Sequence, residues 1–167
     1  MIRTQRFALV GKSGSGKSEA CRFLSESRGI RLIRTGAICR QIARLLFDNE
    51  DKRSTQILDD ALTLIDPSIF LRAALRGVDP TEDLVIDALR FREDLAIAHE
   101  RGCMVIRVVA SDEIRLRRLL ARGQTFDLAT EGRHRSEVEL DDAAVDMEIR
   151  NEGEVSALQA LLTGLPT

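Results

Sequence analysis

Short apolar runs alternate along this chain with longer stretches in which apolar residues return every three or four positions. Residues 7–10, Phe-Ala-Leu-Val, form a continuous apolar run of strand length, and residues 17–28 carry helical spacing just after a glycine-rich turn. Residues 30–33 predict a second short strand, and residues 36–47 a helix with Ile38, Ile42, Leu45 and Leu46 on one side. From 48 to 82 the pattern is helical and polar, broken at Asp66-Pro67 and Asp79-Pro80, because proline disfavours a helical residue before it. Residues 84–87 predict a third strand and residues up to 101 a helix. Residues 103–110 form the longest strand, after which Asp112 is placed to cap a helix running to Arg122. Residues 123–136 lack periodicity and read as a mobile loop. A short helix, a last strand near 145–149 and a terminal helix from Glu154 complete the pattern.

Strands alternating with helices imply a parallel sheet with right-handed crossovers, and in such sheets ligands gather at the carboxyl ends of the strands. The 167 residues suit one domain, large enough to bury roughly 70% of its unfolded surface. A hydrophobic content of 44% and a charged content of 31% exclude a disordered or fibrous chain. No apolar stretch approaches the roughly 20 residues of a membrane helix, and the basic start runs into the glycine turn without a cleavage site. A cytoplasmic protein without a membrane partner is the expectation. Cys21, Cys39 and Cys103 lack metal-ligand spacing, and their odd number speaks against a disulfide framework. A net charge of −2 gives no general attraction to nucleic acid, so none is expected as a partner.

Arginine far outnumbers lysine, and of Lys12, Lys17 and Lys52 the first two lie in the turn. Gly11-Lys12-Ser13-Gly14-Ser15-Gly16-Lys17-Ser18 fits G-x-x-x-x-G-K-S without mismatch, between a predicted strand and a predicted helix. Glycines let the backbone N–H groups converge on an anion at the helix N-terminus, where the helix dipole adds partial positive charge. Lys17 is expected to reach the β- and γ-phosphates of ATP and the Ser18 hydroxyl to ligate Mg²⁺. Gly11, Ser13, Gly14, Ser15, Gly16 and Glu19 complete the expected nucleotide contacts. The implied architecture is a three-layer P-loop NTPase fold, α/β, with a mostly parallel five-stranded sheet flanked by helices. The D-x-x-G and N-K-x-D strings of Ras-type GTPases and the L-S-G-G-Q of transporter ATPases are missing, and the chain is short for an oligomeric AAA motor. A small kinase or a nucleotide-binding switch remains.

Asp87 ends the third predicted strand beside this loop, where a carboxylate can hold Mg²⁺ through water or orient an attacking oxygen, and Arg90 can fork onto a phosphate. The same two residues would also suit a helix cap and a surface ion pair. Arg40 and Arg44 share a helix face at i, i+4, as solvated surface arginines also do. Arg115, Arg118 and Arg122 share a face too, with Leu116, Leu119 and Leu120 on the neighbouring face for burial. His99 and His134 read as ordinary surface histidines.

Several of these segments carry a resemblance. Thr35-Gly36-Ala37-Ile38-Cys39-Arg40 is similar to the T-G-D-x-L-R of adenylate kinases, with Ala37 in place of Asp. Val85-Ile86-Asp87-Ala88-Leu89-Arg90 resembles their D-G-x-P-R, one residue shorter, and the D-V-R-F region of phage deoxynucleotide kinases. Arg118-Leu119-x-x-Arg122 looks like the R-L-x-x-R that leads into the kinase lid, and Asn151-Glu152-Gly153 like the N-x-G turn that borders adenine. In this order the segments resemble the nucleoside monophosphate kinase family and, more distantly, dephospho-coenzyme A kinases.

The resemblance implies that Thr35 and Arg40 join Arg90 in binding the acceptor, and that Asn151 and Gly153 lie beside the base. It also implies a helical acceptor-binding insertion at about 36–82 and a lid at about 123–136 that closes Arg118, Arg122, Arg133 and Arg135 on the phosphates. The expected reaction is transfer of the ATP γ-phosphoryl group to a phosphate-bearing small molecule, with Lys17, Asp87 and these four arginines as the catalytic set. The favoured acceptor is a nucleoside or deoxynucleoside monophosphate; the alternatives are a dephospho-coenzyme A kinase-like enzyme and a nucleotide-dependent assembly factor with weak ATPase activity. The oligomeric state stays open.

Overall fold

The structure, a computed structural model, describes residues 5–125 and 127–166. Its centre is β1 (Arg6–Val10), flanked on one side by β3 (Leu84–Asp87) and then β2 (Arg31–Arg34), and on the other by β4 (Met104–Val109) and then β5 (Met147–Arg150), giving the order β2-β3-β1-β4-β5. All four pairings are parallel, which the helical crossovers between successive strands require. Leu9 and Arg34 both stand opposite Asp87, so the segments leaving β1, β2 and β3 emerge at one level of the sheet's carboxyl edge.

Helix α1 (Lys17–Arg28) packs its buried Ala20, Cys21 and Leu24 against one face of the sheet, and Leu158 and Leu162 of α8 (Val155–Thr163) join the same core. Gly29, with φ 65°, caps α1 and turns the chain into β2. The opposite core holds Ala98 of α5 (Arg92–Glu100), Leu71 of α4 (Ile69–Ala74) and Leu140. A third, smaller core joins α2 (Thr35–Phe47), α3 (Lys52–Ile65) and α4 around Cys39, Ala43, Leu58 and Phe70. The Asp51 side chain accepts from the Ser54 N–H at 2.7 Å and starts α3, and the Asp66-Pro67 break separates α3 from α4. The helical insertion thus has its own apolar centre beside the strand ends.

Near the site lie α6 (Asp112–Ala121), a 3-10 turn (Glu131–Arg133) and α7 (Arg135–Val138). Two expectations change here. Asp112 does not cap α6: Ser111 holds the cap position without a side-chain bond, and Asp112 pairs with Arg115 at 2.6 Å. Leu120 is 72% exposed while Arg115 is 3% exposed, because α6 turns that part of its surface toward the glycine-rich loop. Within the predicted lid, Phe126 lies outside the described residues.

Candidate active site

The segment between β1 and α1 bends through three glycines with positive φ, Gly11 at 149°, Gly14 at 80° and Gly16 at 102°. A Cβ at Gly11 would stand 2.3 Å from the Val108 carbonyl oxygen, and one at Gly14 2.7 Å from that of Arg115. Backbone conformation and close approach both require glycine at these two positions. Arg115 donates from Nε to the Ser13 carbonyl at 2.8 Å. Arg118 donates to the Ser15 carbonyl at 3.4 Å and to that of Gly153 at 2.9 Å, and the buried Asn151 donates from Nδ2 to the Ser15 carbonyl at 2.8 Å. These donors hold two carbonyls of the loop, those of Ser13 and Ser15. Lys17 donates from Nζ to the Lys12 carbonyl at 3.1 Å. Burial holds its ammonium below the ordinary lysine pKa, and the Glu137 carboxylate works against that shift.

A cleft of about 410 Å³ opens in front of the loop. Gly11, Lys17, Ser18, Thr35, Arg40, Asp87 and Arg90 line it together. The Ser18 hydroxyl donates to Asp87 Oδ1 at 3.1 Å, joining the end of β3 to the start of α1. Thr35 Oγ1 reaches the Ala88 carbonyl at 3.3 Å.

Two further cavities adjoin. One of about 260 Å³ shares Arg40 and Arg90 with the cleft and continues between α2 and α3 to Cys39, Thr55, Gln56 and Asp59. Asp59 faces Arg90 at 3.9 Å, and burial raises its carboxyl pKa against the pull of that guanidinium. The other, of about 380 Å³, lies behind the loop against Glu19, Ile114, Arg118, Asn151, Gly153 and Leu158. Arg122 borders both this cavity and the cleft.

A family model described as an AAA domain matches residues 8–140. The chain belongs to this AAA domain family. No curated protein matches it. Among solved structures, TT1252 from Thermus thermophilus is 21% identical, with 99% of this chain and 100% of that one covered and a TM-score of 0.57. Shikimate kinase from Acinetobacter baumannii, in complex with shikimate, is 14% identical over 96% of this chain and 89% of its own, with a TM-score of 0.59. An unliganded sugar kinase from Janibacter sp. HTCC2649 is 15% identical over 95% and 92%, with a TM-score of 0.56. At such identities the likeness is one of fold, and the five-stranded parallel sheet flanked by helices is the α/β architecture the motifs predict.

Within this AAA domain the predicted residues divide into groups. Gly11, Ser13, Gly14, Lys17, Ser18, Thr35, Arg40, Asp87, Arg90 and Arg122 meet at the cleft. Ser15 is buried beneath the loop; Gly16, Glu19, Asn151 and Gly153 line the cavity behind it. Arg118 lies apart from this group, its guanidinium donating to the Ser15 and Gly153 carbonyls beside the cavity behind the loop. Arg133 and Arg135 also lie apart from the cleft lining. Arg133 is exposed and outside the cleft lining, and Arg135 stacks 4.6 Å from the Phe91 ring while pairing with Glu139 at 2.9 Å. Arg44 pairs with Glu50, away from Arg40. His134 is no solitary surface histidine, because its Nε2 lies 2.8 Å from Asp60 of α3.

Sequence reasoning missed Arg115 as a support of the AAA domain's loop, and Asp59 and Glu137 as walls of its cavities. Arg115 carried a signal in its three-residue spacing from Arg118. The other two acids carry none, being joined to their neighbours only by the fold.

Proposed function

We propose that this protein is an ATP-dependent phosphotransferase that moves the γ-phosphoryl group to a phosphate-bearing small acceptor, a nucleoside or deoxynucleoside monophosphate before others. The observation that carries this reading is the 410 Å³ cleft, in which Lys17 and Ser18 of the loop share one lining with Asp87, Arg40 and Arg90. Two anions entering it from opposite sides meet end to end between cationic groups, the alignment an in-line phosphoryl transfer needs. The cavity behind the loop, with its apolar Ile114 and Leu158, suits the nucleoside of ATP. The 260 Å³ cavity suits the rest of the acceptor, its arginines at the cleft and its Gln56 and Asp59 at the far end.

Each residue then has a chemical task. Lys17 places its ammonium on the β- and γ-phosphates, and the loop N–H groups orient the chain of phosphates. Arg40 and Arg90 grip the acceptor phosphate and offset its charge, and Arg122, at the edge of both spaces, neutralises the donor side. The acceptor's phosphate oxygen is already nucleophilic, so no strong base is required. Ser18 and Asp87 present hard oxygen ligands within hydrogen-bond distance of each other, a donor set suited to Mg²⁺ completed by phosphate oxygens and water. Mg²⁺ bound there would supply further charge neutralisation. That kinases of sugar and shikimate share the fold supports the reaction class and leaves the acceptor to these side chains.

The test is incubation of the purified protein with Mg-ATP and, separately, nucleoside monophosphates, deoxynucleoside monophosphates, dephospho-coenzyme A and no acceptor. ADP formed in step with one new phosphorylated product is the expected result. ADP with free phosphate, independent of every acceptor, would overturn the kinase in favour of a nucleotide-dependent assembly factor.

A further inference from the structure

The anion nest of the loop already holds an anion. Glu137 of α7 accepts from the Ser13 backbone N–H at 2.8 Å and from the Ser13 hydroxyl at 2.5 Å. Its side chain stands at the junction of the 410 Å³ cleft, the 260 Å³ acceptor-side cavity and a further cavity of about 300 Å³ beside β4. Four residues on, Asp141 pairs with Lys12 of the same loop at 2.9 Å. The segment carrying both acids is anchored behind by Arg107, which donates to the Leu140 carbonyl at 2.6 Å and the Ala143 carbonyl at 2.7 Å; the solvent-exposed pair of Arg92 with Asp142 at 2.6 Å adds little to that anchor. In front, His134 reaches Asp60 on α3, which also forms the floor of the acceptor-side cavity.

We propose that residues 134–142 form a strap whose Glu137 carboxylate sits in the place of a nucleotide phosphate, so that a polyphosphate binds only by displacing it. The inference rests on the reading of the loop as a polyphosphate grip. A carboxylate imitates a phosphate here in the two respects that matter, negative charge and paired acceptor oxygens for an N–H and an O–H. The Ser13 donors cannot serve both anions, and two like charges side by side in a half-buried nest repel. Displacing the strap also pulls on the contact between His134 and Asp60, so entry at the loop loosens the mouth of the acceptor-side cavity. A chain closed nine parts in ten loses tenfold in apparent affinity for its ligand.

The experiment compares ATP binding, by calorimetry without acceptor, in the wild-type chain, Glu137→Ala, Glu137→Gln and Asp142→Asn. Removing the carboxylate is expected to tighten ATP binding by about tenfold or more. Asp142→Asn, which removes an equal charge from the same strap without touching the loop, is expected to stay within about twofold. Glu137→Gln keeps the side-chain volume and serves should the alanine variant fail to fold. Unchanged or weaker binding in the Glu137 variants overturns the strap and leaves the phosphate grip standing, as does equal tightening by Asp142→Asn, which would reduce the effect to general charge. No binding by any form overturns the grip and the strap together. Amide exchange gives a second readout: residues 135–142 should exchange faster when ATP is added to the wild-type chain, and slower exchange there overturns displacement.

Discussion

Asn151 donates from Nδ2 to the Ser15 carbonyl while standing so close to Gly16 that a Cβ on that glycine would lie 2.3 Å from the same nitrogen. Residue 151 is therefore both a clamp on the loop and the reason position 16 admits no side chain. Gly16→Ala is expected to lose roughly 1–2 kcal/mol to the positive φ. A further cost of about 1–3 kcal/mol follows from pushing the amide off a buried carbonyl. In an Asn151→Ala background only the first cost should remain, so chemical denaturation of the four forms should give strongly non-additive values. Additive losses would show that the two residues do not contact each other.

Arg115 supports the loop from a buried position, and its partner Asp112 is exposed enough to tolerate its loss. Arg115→Met keeps the stem and strands the Ser13 carbonyl, with an expected stability loss of about 1–3 kcal/mol. Nucleotide affinity should fall about tenfold, the equivalent of 1.4 kcal/mol, because the misplaced carbonyl belongs to Ser13, whose N–H and hydroxyl are the anion donors that hold Glu137 at the cleft. Thermal melts and calorimetry on the same preparation separate the two effects.

Lys17→Met should reduce phosphoryl transfer by at least about a thousandfold, on the scale of other charge-stabilising groups in phosphoryl transfer. It should not destabilise the fold. Burial lowers the Lys17 pKa, so keeping the ammonium charged costs folding free energy at neutral pH, a cost relieved as pH rises through the lowered value. Melting of Lys17→Met at or above the wild-type temperature at pH 7, with the gap narrowing at alkaline pH, is the expected result.

Asp59 has the opposite sign. Its folded pKa lies above the ordinary carboxylate value because of burial, so the ionised form weakens the fold at pH 8, and the penalty fades as pH falls from the raised value toward the unfolded one. Relative to wild type, Asp59→Asn should be more stable at pH 8 than at pH 3, below the ordinary carboxylate value. With an acceptor identified by turnover, the same variant should raise KM for that acceptor while leaving ATP binding within about twofold, since Asp59 lines the acceptor-side cavity and not the one behind the loop.

Much of this was legible in the amino-acid pattern, and what was not has a common cause. The strands are short apolar runs bounded by turns, and each predicted strand lies within a few residues of an observed one. The glycine-rich loop was readable because its function depends on backbone conformation, which consecutive residues determine. Asp87 was readable because a charge at the end of the apolar run 84–86 has few structural explanations. By contrast, Glu137 meets Ser13 across 124 positions and Arg115 meets it across 102, and no local periodicity records such meetings. Helical spacing correctly grouped Arg115 with Arg118 but could not tell which neighbour that face would meet; the loop's carbonyls took both. Arg135 was assigned to phosphates through the resemblance to a kinase lid, whereas in the structure the Phe91 ring and Glu139 hold it.

The clamp from residue 151 has a bearing on where this domain ends. The match to the family model stops at residue 140, short of Asn151 and Gly153. A fragment cut at that boundary would retain the motif together with Arg115 and Arg118 but lose the Asn151 clamp on the Ser15 carbonyl, the edge strand β5 and, from one face of the sheet, α8. The last strand and helix are thus tooling for the first turn, and the two ends of the polypeptide are needed together to make one anion cradle.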